Sequence, residues 1–93
     1  MIVYLSIGNS DDKLTQKEWA QFITRTRADV VSLASQVHGQ WLSSSDLMWQ
    51  NACWCLEFTS KTDLKVAREA MITIRRYYRQ DSAAWAIAET EFI

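Results

Sequence analysis

Apolar residues recur at strand spacing in four stretches of this chain and at helix spacing in two, and their order leaves few folds open. Met1–Ile7 alternates, with Val3, Leu5 and Ile7 on one side and Ile2, Tyr4 and Ser6 on the other. "GNSDDK" then supplies residues that tolerate turn geometry. Thr15-Gln16-Lys17-Glu18 has the spacing of a capping box, in which the hydroxyl and the carboxylate satisfy free backbone donors at a helix start. Trp19, Phe22, Ile23, Thr26, Val30, Leu33 and Ala34 follow at helical spacing, which predicts one amphipathic helix over 15–35.

Gln36–Leu42 reads as a second strand, with Val37, Gly39 and Trp41 on a common face. After the turn "SSSD", Asn51–Thr59 reads as a third. Its Trp54, Leu56 and Phe58 point one way, and Cys53, Cys55 and Glu57 the other. Ser60-Lys61-Thr62-Asp63 opens a second helix, buried along Leu64, Ala67, Met71, Ile74 and Tyr78. Arg75, Arg76 and Arg79 close it, where cations favour the negative end of the helix dipole. Ala83–Phe92 reads as the last strand. The order is β-α-β-β-α-β. The expected fold is therefore α+β and ferredoxin-like, a four-stranded antiparallel sheet with two helices on one face and strand order 4-1-3-2.

Ninety-three residues without a proline or a low-complexity stretch make a single domain, 1–93. A chain this short depends on large side chains for its core, and five tryptophans supply them. A net charge of −1 gives no phosphate-neutralising footprint, so no nucleic acid is expected. No run reaches the ~20 apolar residues of a membrane span. "MIVYLSIGN" has no signal-peptide pattern, so a reducing cytoplasm is the expectation, and the two cysteines are expected there as free thiols.

Two surfaces attract attention. Chain direction brings loops 8–13, 43–50 and 79–82 to one end of the sheet, the top. There Asn9, Ser10, Asp11, Asp12, Trp49, Gln50, Gln80, Asp81 and Ser82 form a candidate ligand-binding or partner-binding rim. The sheet face away from the helices is expected to carry Tyr4, His38, Gln40, Cys53, Cys55 and Glu57. It has few charges, and such a face suits a homodimer contact.

Motifs of reactive chemistry are weak. Cys53-Trp54-Cys55 is not the C-x-x-C of redox turns, and one histidine cannot complete a zinc site with two thiols. Asp11 and Asp12 beside Asp46 or Asp81 lack calcium-loop spacing, so adjacent aspartates capping a turn is the simpler reading. An RNA-recognition role needs stacking aromatics on both central strands. Tyr4 qualifies on the first, while the third offers only Cys53 and Cys55.

"SIGNSDDKLTQKEWAQF", "HGQW" and "YRQDSAAW", in that order, resemble a group of short uncharacterised proteins of bacteria and their phages. They are similar also to a family known only as a domain of unknown function. The residues carrying the likeness are Gly8 and Ser10, Glu18-Trp19 and Phe22, Gly39 and Trp41, and Gln80-Asp81-Ser82. The resemblance implies one compact α+β unit and no particular activity. A phage setting would favour a small protein that modulates host machinery. The leading expectation is a non-catalytic, homodimeric binding or protein-interaction module without a cofactor or metal, contacting a protein or a small molecule. The alternatives are a small dimeric ferredoxin-like enzyme using His38 or the rim carboxylates, and a phage or mobile-element inhibitor of a host defence or metabolic enzyme.

Overall fold

The computed structural model describes residues 1–9, 12–44, 47, 49–89, 91 and 93. Four strands form one antiparallel sheet, β1 (Ile2–Gly8), β2 (Gln36–Leu42), β3 (Asn51–Glu57) and β4 (Ala84–Ala88), in spatial order β2-β3-β1-β4. Two helices, α1 (Gln16–Asp29) and α2 (Lys61–Tyr77), complete an α+β, ferredoxin-like βαββαβ architecture. No helix among the described residues is long and apolar enough to cross a membrane.

Local chemistry explains the helix starts. Glu18 N–H donates to Thr15 Oγ1 and Thr15 N–H donates back to Glu18 Oε1, both at 3.1 Å, closing the capping box. Ser60 caps α2 by accepting from Asp63 N–H at 3.2 Å. The apolar stripe expected to form one helix over 15–35 is divided. α1 stops at Asp29, Val30 caps it with its N–H on the Thr26 carbonyl, and Val31–Leu33 forms a 3₁₀ turn. Val30 and Val31 stay buried, so the stripe continues although the α-helix does not.

Strand register sorts the side chains. Val3, Leu5 and Ile7 lie opposite Leu56, Trp54 and Ala52, and all six are buried in one cluster with Trp19, Phe22, Ala67, Met71 and Ile74 of the helices. Phe22 stacks on Tyr78 at 4.9 Å between ring centroids, tying α1 to the end of α2. Trp54 is fully buried at the centre, and its indole N–H donates to Gln40 Oε1 at 2.6 Å.

β2 departs from simple alternation. A bulge between Val37 and Gly39 inserts His38, so the faces exchange within the strand. Val37 is level with Leu56 on the helix side, whereas Gly39 and Trp41 are level with Cys55 and Cys53 on the open side. Gln40 is therefore not on the open face, as expected from alternation. It turns to the helix side, where its Oε1 also accepts from Arg27 Nε of α1 at 3.0 Å. β4 is shorter than the expected 83–92, ending at Ala88, and Thr90 and Phe92 lie outside the described residues.

Candidate functional site

At the top of the sheet the three loops do meet. Asn9 is the hub. Its Nδ2 donates to the Leu14 carbonyl at 3.1 Å and to Gln50 Oε1 at 3.3 Å, and its Oδ1 accepts from Leu14 N–H at 3.0 Å. Asn9 N–H also donates to the Gln50 carbonyl at 2.8 Å, extending the β1–β3 ladder by a step. Gln50 and Gln16 exchange a reciprocal amide pair, 3.0 Å and 2.8 Å. Gln80 is buried, and its Nε2 donates to the Tyr78 carbonyl at 3.1 Å. Three of the rim's amides thus face inward and hold the loops that carry them.

The outer part of the rim is charged. Lys13 Nζ lies 3.4 Å from Asp81 Oδ1, and Arg79 donates to Glu18 Oε2 at 2.8 Å. The Glu18 carboxyl is held below its ordinary range, first by the Thr15 backbone N–H and then by the Arg79 guanidinium. Arg79 occupies the left-handed region at φ 58° just after α2, a position where glycine is the usual residue. Its N–H donates to the Arg76 carbonyl and that of Gln80 to the Arg75 carbonyl, closing the helix end. Asp12 has φ 55° in the facing loop. Trp49, Asp81 and Ser82 are exposed, Trp49 at 65%. Ser10, Asp11 and Asp46 lie outside the described residues. Among those described, no three His, Cys, Asp or Glu side chains cluster as metal ligands would.

The open face of the sheet is built differently. Register places Gly39, Cys55, Tyr4 and Ala86 in one row across the strands, with Trp41, Cys53, Ser6 and Ala84 beside it. A third row holds Gln36, Glu57, Ile2 and Ala88. Tyr4 is 42% exposed and Trp41 55%. The Trp41 indole folds over Gly39 so closely that a Cβ there would stand 3.0 Å from Cη2, so a side chain at 39 would oblige the ring to shift by a few tenths of an ångström. Cys55 is only 7% exposed, so a single chain already shields this thiol, and Cys53 is half-buried. The Tyr4 phenol is raised above its ordinary range, chiefly by its side-chain hydrogen bond with Cys55 and then by charge on that sulfur. His38 Nε2 lies 3.0 Å from Glu57 Oε1. Together with Met1, Ile2, Tyr4 and the end of β4, this pair borders an open depression of about 840 Å³.

Sequence reasoning missed Trp41 as a residue of this face, and the bulge is the reason. The only signal in the sequence was the Gly-x-Trp spacing, which suits an indole lying across a glycine on the same side of a strand. No protein-family model, curated protein or solved structure matches the chain.

Proposed function

We propose that this protein is a non-catalytic protein-interaction module of the cytoplasm, and that the open sheet face is the surface it offers. The carrying observation is the absence of any covering layer over the described part of that face, which exposes Tyr4 and Trp41. His38 and Glu57 on that face already face each other, Nε2 3.0 Å from Oε1. Exposed aromatics on a rigid, weakly charged surface are the composition of interface hot spots. At the rim, Asn9, Gln50 and Gln80 make internal hydrogen bonds, and Trp49, Asp81 and Ser82 stand exposed beside them.

A small enzyme is the competing reading, favoured by the His38–Glu57 pair beside the depression. Glu57 would hold the imidazole in one tautomer, as an orienting carboxylate does for a general base. Of the two thiols on that face, Cys55 is buried in the sheet and Cys53 is half-buried.

The test is to recover protein partners on the immobilised chain and repeat with two variants. Tyr4→Arg with Trp41→Arg should lose a partner that Trp49→Ala with Asp81→Ala retains. Loss on the rim variant alone would move the site to the top. No partner above background with the parent chain would end the interaction reading.

A further inference from the structure

The two edges of the sheet are protected unequally. β2 carries the bulge at His38, which interrupts its outer row of backbone groups. β4 reads Ala84-Trp85-Ala86-Ile87-Ala88, with no charge, no proline and no bulge. Exposed edges of soluble proteins normally carry one of those devices, because bare N–H and C=O groups recruit another strand. Beside this edge, Arg68, Ile72 and Trp85 border a groove of about 120 Å³ between α2 and β4.

We infer that β4 is the site of self-association, pairing antiparallel with β4 of a second copy about a twofold axis at Ala86. The strand is a palindrome of side-chain size. Centred on Ala86, Ala84 meets the partner's Ala88, and Trp85 meets the partner's Ile87. An aromatic opposite a β-branched residue is among the favourable cross-strand pairs, and each copy contributes one. The small residues all fall on the open face and the large ones on the helix side, because Trp85 and Ile87 are level with Leu5 and Val3. Charge agrees as well. In this register Glu89 stands opposite the partner's Ala83, which borders the groove together with Arg75. No other strand of the sheet offers this self-match: on β2, symmetric pairing about Gly39 would have to accommodate the bulge.

A strand of five residues spans about 17 Å, and its backbone pairing alone falls short of the ~800 Å² per partner of a stable interface. Ile87, 57% exposed, and the groove under α2 supply further apolar area on the same side. The product is a continuous eight-stranded sheet with two open faces side by side. This inference goes beyond the open-face reading and does not depend on it.

Sedimentation of the parent and two variants tests it. The parent should sediment at twice the chain mass of 10.8 kDa. Ile87→Lys removes two buried side chains from the symmetric contact and should weaken dimerisation by at least ~100-fold. Tyr4→Arg, on the open face, should leave the dimer intact. Circular dichroism of both variants should match the parent. Hydrogen exchange provides a readout without mutation: amides of 84–88 should slow as concentration rises, and those of β2 should not. A monomeric parent at millimolar concentration, or a dimer lost in Tyr4→Arg and kept in Ile87→Lys, would overturn the inference. So would concentration-dependent protection confined to β2.

Discussion

The polar rim and the open sheet face draw on the same strands and treat their side chains in opposite ways. At the rim, Asn9, Gln16 and Gln50 satisfy one another and the backbone, so these amides are spent on holding the loops together. On the face, Tyr4 and Trp41 stand in solvent over a layer of small and half-buried residues. The difference teaches that in so small a domain convergent amides act first as struts. On the proposed reading, recognition falls to the face that the helices do not cover.

Variants can strain this contrast from the core outward. Trp54→Ala, under the face, should destabilise by about 3–5 kcal/mol, since a large ring leaves a cavity and Gln40 loses a donor. An unchanged melting temperature would mean the face has no rigid support. Asn9→Ala should cost about 1–3 kcal/mol, because Leu14 N–H and the Gln50 amide lose a buried partner. A neutral result in urea denaturation would remove the strut role of the rim.

The pH dependence should be smaller and should belong to the rim. Glu18 is depressed in the folded state, so its stabilisation is present above the ordinary carboxylate value of 4.5 and is lost as pH falls through the depressed one. Glu18→Gln should flatten that acid limb, measured by melting temperature against pH. An unaltered limb would detach the Thr15–Glu18–Arg79 tie from stability. Smallest of all, Tyr4→Arg and Trp49→Ala should shift stability by no more than about 0.5 kcal/mol, as exposed substitutions do. A larger loss at Tyr4 would show that its contact with Cys55 is structural.

Much of the fold was legible because local signals agreed with one another. Both helix caps, the alternation of β1 and β3, and the strand order follow from patterns that chain connectivity then constrains. β2 was not legible in the same way. "QVHGQWL" offers polar and apolar residues in either parity, so one inserted residue at His38 exchanges Gln40 and Trp41 between faces with no sign in the pattern. The break after Asp29 was hidden for a related reason, since a 3₁₀ turn keeps Val31 buried and continues the apolar stripe. At the rim, polarity was legible and its use was not. The partner of Asn9 is Gln50, 41 positions away, and only the assembled sheet shows that the amide is already occupied.

The contrast between strut and surface is tested most directly by measuring partner retention and melting temperature together on Asn9→Ala and Tyr4→Arg. Tyr4→Arg should melt with the parent and lose the partner. Asn9→Ala should melt lower and still hold the partner at temperatures where it is folded. The reverse pattern, a partner released by Asn9→Ala in the folded state and held by Tyr4→Arg, would place recognition at the rim and contradict it.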